Sequence, residues 1–177
     1  MEIFETRNDM LLSFGKNLKI AELGVWRGDF SKNIYEICNP SELYLVDLYT
    51  GYFGSGDKDG NNYQYAQLED EMLNLIKYFK DNVEVEVIKK STTDFLLGLS
   101  DNYLDLVYID ADHSFDSVLN DLHNSYNKVK LGGLICGHDY VNGTEAKNAV
   151  DYFCNIKELK INSLTKDGCP SFCIIKE

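Results

Sequence analysis

Ile20-Ala21-Glu22-Leu23-Gly24-Val25-Trp26-Arg27-Gly28 is the stretch on which the reading of this chain turns. A short apolar run closes on an acidic residue, and two glycines then lead toward a helix-forming segment that starts near Phe30. Glycines at a strand-to-helix turn let the backbone approach a ligand closely, beside the positive end of the helix. The spacing is not the Gly-x-Gly-x-x-Gly of dinucleotide binders, and Glu22 suits a cationic ligand better than a pyrophosphate. A tight structural turn reads the same way, so the loop has to be weighed with its surroundings.

Working outward, strand-sized runs rich in Ile, Val, Leu and Tyr alternate with amphipathic segments of helical length. Strands are expected at Leu18 to Val25, Glu42 to Leu48, Val83 to Ile88, Leu104 to Ala111, Gly133 to Gly137, Leu159 to Thr165 and Phe172 to Lys176. Helical patterns lie between them at Phe30 to Cys38, Tyr65 to Phe79, Thr92 to Leu99, Phe115 to Val129 and Thr144 to Asn155. An amphipathic segment from Phe4 to Phe14 packs ahead of the first strand. This alternation predicts an α/β, Rossmann-like, doubly wound and mainly parallel seven-stranded sheet. The last two strands are joined only by Lys166 to Pro170, so one antiparallel strand is expected near the C-terminus. Right-handed crossovers then gather the strands' carboxyl ends on one edge, where such sheets bind ligands.

The 177 residues fit a single domain, 1–177, with 44% hydrophobic and 26% charged residues. A formal net charge of -12 repels phosphate backbones and anionic membranes, which favours a small-molecule substrate over nucleic acid or a membrane surface. Neither a signal peptide nor a membrane span is legible, and the five scattered cysteines suggest reduced thiols rather than a disulfide framework. Those features point to the cytoplasm, and they are compatible with a homo-oligomer. The irregular stretch from Thr50 to Asn62, with four glycines, reads as a long loop at the ligand edge: a surface excursion or a lid.

Further candidates fall at successive strand ends. Asp47 closes the second strand, about 20 residues beyond the glycine loop, where an acid can bind ribose hydroxyls. The stretch Leu104-Asp-Leu-Val-Tyr-Ile-Asp110-Ala-Asp112-His113-Ser-Phe115 places acidic and imidazole side chains at the end of the fourth. Leu131-Gly-Gly-Leu-Ile-Cys-Gly-His138-Asp139-Tyr140 delivers another pair at the end of the fifth. Asp110, Asp112, His138 and Asp139 should therefore converge, and a divalent ion would relieve their repulsion. The bland alternative is that Asp110 and Asp112 cap the next helix and His138 is a hydrogen-bonded edge residue. His123 is expected on a solvated helix face.

Glu-x-Gly-x-x-x-Gly at residues 22–28 resembles the first motif of class I S-adenosylmethionine-dependent methyltransferases. Ile-Asp-Ala-Asp-His-Ser-Phe with Gly-Gly-x-x-x-x-His-Asp-Tyr is similar to the family that contains macrocin-type sugar O-methyltransferases. The resemblance runs from Ala21 to the terminal strand. It implies a cofactor site of Glu22, Gly24, Gly28, Asp47, Asp110 and His113, with Ser91 at the adenine. It also implies magnesium or manganese at Asp110, His138 and Asp139, with Asp112 as general base. His138 stands where these relatives carry an acid, which tilts the site toward manganese, iron or zinc. The implied activity is methylation of a hydroxyl on a sugar or other metabolite.

Three rivals compete with that reading. Asp110-Ala-Asp112 is also an Asp-x-Asp motif of glycosyltransferases, which leaves the Glu22 loop without a purpose. Tyr126-Asn-Lys-Val-Lys130 matches the Tyr-x-x-x-Lys of short-chain dehydrogenases, but it lies before the fifth strand and lacks a dinucleotide loop. A non-catalytic cofactor-binding subunit is the third. Prolines occur only at 40 and 170, so the Pro-Pro signature of amino-directed nucleic-acid methylases is absent.

Overall fold

A computed structural model describes residues 1–49 and 65–177. The chain runs β1 (Glu2–Phe4), α1 (Arg7–Leu12), β2 (Lys19–Leu23), α2 (Asp29–Cys38), β3 (Glu42–Asp47), α3 (Tyr65–Tyr78) and β4 (Val85–Lys89). It continues through α4 (Thr92–Gly98), β5 (Leu104–Ile109), α5 (Phe115–Lys128), β6 (Val129–Gly137), α6 (Glu145–Lys157), β7 (Ile161–Thr165) and β8 (Phe172–Ile175). The expected loop from Thr50 to Asn62 lies outside the described residues. No helix among the described residues is long and apolar enough to cross a membrane.

One sheet holds all eight strands in the order β1-β7-β8-β6-β5-β2-β3-β4. Every pairing is parallel except those of β8, which runs antiparallel to both β6 and β7. The single reversed strand expected from the short Lys166–Pro170 connection is therefore β8. The eighth strand was not expected. Glu2–Phe4 pairs in parallel with Ser163–Thr165, and the helix ahead of β2 shortens to Arg7–Leu12. Three residues carry too little pattern to announce a strand, and this one is made by a partner some 160 positions away. A capping box starts α1 cleanly: Thr6 Oγ1 accepts the Asp9 N–H, and the Asp9 carboxylate accepts the Thr6 N–H.

Each face of the sheet buries its own apolar layer. Met10, Leu11, Phe30, Ile34 and Leu75 from α1, α2 and α3, with Phe79 just after α3, pack on Ile20, Leu43, Leu45, Leu106 and Tyr108. Phe95, Leu96, Val118, Leu122, Val150 and Phe153 from α4, α5 and α6 pack on Ala21, Leu23, Val46, Val107 and Ile109. Alternation along each strand sorts the two sets. By the same period-two rule Glu22, Asp47 and Asp110 continue the rows that face α1 and α2.

The chain turns in opposite directions after β2 and β5, so these neighbours form the topological switch point. Their ends are held closely: Asp110 N–H donates to Leu23 O at 2.7 Å, and Gly24 N–H to Val46 O at 2.8 Å. Gly24 has φ +90°, and a Cβ there would lie 2.1 Å from the Asp110 carbonyl oxygen. We expect Gly24→Ala to lower stability by about 3 kcal/mol, from backbone overlap and a left-handed φ together. Chemical denaturation of the purified variant measures this, and a loss below 1 kcal/mol would show that the crossing can open.

Candidate active site

The glycine loop is held from beneath by Asp47. Its Oδ2 accepts the N–H groups of Val25 (2.8 Å) and Trp26 (2.9 Å), and its Oδ1 accepts that of Tyr49 (2.8 Å). A carboxylate has about four lone-pair positions, so one is left beyond these three bonds. Trp26 and Tyr49 both sit at positive φ, 51° and 46°. Bulky residues adopt that region only when the surroundings impose it, and such positions gather at functional sites. Gly28 is left-handed too (φ 74°) and opens α2 with no side-chain cap. A Cβ on it would meet Leu75 of α3 at 2.5 Å.

Glu22 lies under the loop, buried at 2% exposure, and accepts a short hydrogen bond from Ser31 Oγ of α2. Burial pushes its carboxyl up to about 8; Ser31 counters that, and Asp110 adds to it. Tyr49 is wholly buried beside Asp47 and Glu22, and its hydroxyl has no hydrogen-bond partner among the described residues.

Asp110 follows β5 and His138 follows β6, whose N–H donates to Ile109 O at 3.0 Å. Ligating atoms of Asp110, His113 and Asp139 all lie within 4.8 Å of one another. His113 Nε2 stands 3.1 Å from Asp139 Oδ2 and 3.6 Å from Asp110 Oδ1. His138 Nδ1 borders the same group, 3.1 Å from Asp139 Oδ2 and 3.8 Å from Asp110 Oδ1. The contact with Asp110 raises the His113 pKa against the effect of burial, and the His138 contact holds the Asp139 carboxyl below its usual value. Asp139 is itself at φ 57°.

A family model described as a methyltransferase domain matches residues 21–140 of the sequence, the segment from the glycine strand to the His138-Asp139-Tyr140 end of β6. The chain belongs to the methyltransferase-domain family. No curated protein gives a significant match. Among solved structures, a Streptococcus mutans protein in complex with S-adenosylhomocysteine is 12% identical, with TM-score 0.67 over 97% of this chain and 96% of that one. The N-methyltransferase NodS from Bradyrhizobium japonicum is 11% identical, with TM-score 0.63 over 96% and 94%. A spermidine synthase from Thermotoga maritima shares the architecture at 14% identity and TM-score 0.63, over 97% of this chain and 59% of that one. The chain thus shares its fold with solved methyltransferases and with a spermidine synthase.

At the sheet edge formed by the strands' carboxyl ends the methyltransferase domain brings Glu22, Gly24, Asp47, Asp110, His113, His138 and Asp139 together. Asp112 does not join the cluster of Asp110, His113 and Asp139. It is exposed, and its Oδ1 accepts the Ser114 N–H at 2.7 Å, which lowers its pKa. β5 ends at Ile109, so strand alternation no longer applies beyond it, and Asp110 and Asp112 separate as the chain turns into α5. Ser91 is the N-cap of α4, accepting the Asp94 N–H at 3.0 Å and donating to its carboxylate at 2.7 Å. His123 is half-buried, edge-on to Phe153 at 5.2 Å rather than on a solvated face. Lys130 pairs with Asp105 near the start of β5, far along the strands from this edge.

Two residues at this edge carry no signal in the local sequence. Arg7, in the first turn of α1, places Nη1 3.6 Å from Asp110 Oδ2 and its guanidinium 4.0 Å from the Phe30 ring centre. Cys169 is exposed beside Asp139, where the β7–β8 connection meets β6 through Tyr140 N–H to Pro170 O, 2.9 Å. Only the eight-stranded sheet puts both there.

A carboxyl whose folded pKa is raised takes up protons on folding, so its contribution is fully present below the unfolded value of 4.5 and is lost as pH rises toward 8. Glu22→Gln removes that cost of ionisation. We expect the variant to gain several degrees in Tm over the parent at pH 8.5 and little at pH 5. Ligand-free melts across that range measure it, and a pH-independent difference would remove the buried carboxyl from the account.

Proposed function

We propose that this protein transfers the methyl group of S-adenosylmethionine to a hydroxyl of a small molecule, aided by a divalent cation. The observation that carries the reading is the convergence of Asp110, His113 and Asp139 within 4.8 Å, at the strand ends beside the glycine loop. Two carboxylates that close, with imidazoles between and beside them, form a mixed oxygen and nitrogen set. Such a set fits manganese, iron or zinc as well as magnesium. His138 either completes this set or orients Asp139 through their 3.1 Å contact.

The cofactor fits the other half of the edge. Glu22, Asp47 and Asp110 face the same side of the sheet, which suits a ligand bearing ammonium and sulfonium charge. Asp47 has accepting capacity left for ribose hydroxyls, and the Tyr49 hydroxyl, without a partner among the described residues, offers a buried donor beside it. Ser91 stays in the proposal at the adenine end, its hydroxyl shared with the α4 cap.

Methyl transfer is an in-line displacement, so the chain's main contribution is to align the acceptor with the methyl carbon. A bound divalent ion would lower the pKa of a coordinated hydroxyl. Asp112 is the base in this scheme. Its carboxyl is weakened by the Ser114 N–H, which leaves most of the activation to the metal ligands. The acidic surface favours a neutral or cationic small acceptor over a nucleic acid. An Asp-x-Asp transferase needs its two carboxylates on one ion, and here only Asp110 belongs to the cluster.

Thermal shift with S-adenosylhomocysteine and manganese tests the scheme. Saturation at a hundredfold excess over Kd adds about 2.7 kcal/mol of stability. We expect S-adenosylhomocysteine to raise Tm and manganese to add a further increment. Asp139→Asn should abolish the manganese increment and spare that of S-adenosylhomocysteine. A stabilisation by manganese that survives both Asp139→Asn and His113→Ala places the cation elsewhere. Release of S-adenosylhomocysteine from S-adenosylmethionine in the presence of candidate hydroxyl acceptors separates an enzyme from a binding subunit.

A further inference from the structure

Neither the glycine loop nor the acidic cluster accounts for Arg7 at this edge. It is the first residue of α1, and its position is set three times over. The Thr6–Asp9 capping box fixes the helix start, the Arg7 N–H donates to Asp167 Oδ2 at 3.2 Å, and the guanidinium lies over Phe30 at 4.0 Å. From there it faces a row of acids. Nη1 is 3.6 Å from Asp110 Oδ2, and its charge is felt at Glu22 and Tyr108. The guanidinium thus shares Asp110 with the candidate metal cluster: Oδ2 faces Arg7, while Oδ1 faces His113 and His138.

Two consequences follow from charge alone. A cation paired with Asp110 repels a divalent ion that would use the same carboxylate, and it draws electron density away from that ligand. The cofactor's amino-acid end carries a carboxylate as well as an ammonium, and Arg7, which faces Asp110 and Glu22, is a cation placed to receive it. A planar guanidinium binds a carboxylate by two parallel hydrogen bonds, a better match than its single 3.6 Å approach to Asp110.

We propose that Arg7 couples the two ligands: it takes the carboxylate of the cofactor's amino-acid end and so frees Asp110 for the divalent ion. Cofactor and metal then bind cooperatively, and the cation site matures only when the methyl donor is in place. The inference rests on the cofactor and metal reading above and adds to it the order of assembly. By linkage the coupling is reciprocal, each ligand tightening the other by the same factor.

Calorimetric titration of manganese into the full chain tests this, with S-adenosylhomocysteine, with 5′-methylthioadenosine, which lacks the amino-acid end, or with neither. In the parent, S-adenosylhomocysteine should tighten manganese about fivefold or more, while 5′-methylthioadenosine leaves it unchanged. Arg7→Gln should bind manganese alone as tightly as the parent does with S-adenosylhomocysteine, and the coupling should vanish. Arg7→Lys, which keeps the charge without the fork, should restore part of it. Melting curves establish that each variant is folded. Equal coupling by the two nucleosides, or unchanged coupling in Arg7→Gln, overturns the proposal and leaves Arg7 as a tether for α1. Manganese that binds the parent without any coupling overturns the role of Arg7 alone. A parent that binds S-adenosylhomocysteine but no manganese under any condition removes the metal reading and this inference together.

Discussion

Two main chains cross at Gly24 with no space for a side chain, and the site is built around that crossing. The Asp110 carbonyl would lie 2.1 Å from any Cβ at Gly24. The Asp110 N–H reaches Leu23 O, and the Gly24 N–H reaches Val46 O. The ends of β5, β2 and β3 are thereby locked in one register. Because side chains alternate along each strand, that register also decides which acids share a face. Glu22, Asp47 and Asp110 come to one side, under α1 and α2, as a result of hydrogen bonding between backbones rather than of any attraction among carboxylates.

Such an arrangement carries an electrostatic cost that the fold meets in three ways. Glu22 is buried and keeps its proton toward neutral pH, with Ser31 as its hydrogen-bond donor. Asp47 spends its charge on the N–H groups of Val25, Trp26 and Tyr49, holding the loop in strained left-handed positions. Asp110 stands among Arg7, His113 and His138. One row of acids is therefore neutralised by a proton, by backbone dipoles and by side-chain cations. Each of these countercharges is local and partial.

The architecture itself is shared with proteins of different chemistry. An N-methyltransferase and a spermidine synthase have the same chain path at 11% and 14% identity. What such a fold supplies is a sheet edge, and reactions differ through the side chains placed on it. In this chain the edge carries the imidazoles of His113 and His138 beside Asp110 and Asp139, together with a guanidinium brought in from the N-terminal helix.

Much of this was legible in the sequence by itself. The alternation of strand and helix patterns, the reversed strand before the C-terminus, and the loop from Glu22 to Gly28 all depend on periodicity and local spacing. Those signals survive in a single chain. The candidates at 47, 110, 138 and 139 were legible for the same reason, since the strand ends of a doubly wound sheet share an edge. What only the tertiary structure decided are the pairings across long separations and the direction of individual side chains. β1 exists because Ser163 to Thr165 offer it an edge, and with it come α1 and Arg7. Asp112 belongs to the turn into α5 and His113 to the acid cluster because of how the chain leaves β5, a rotation that residue identity does not encode. Ser91 caps a helix, and His123 packs on Phe153, for reasons of neighbouring geometry. A sequence specifies its local patterns residue by residue, whereas charge neutralisation in a buried site is a property of the whole set of groups that folding brings within reach of one another.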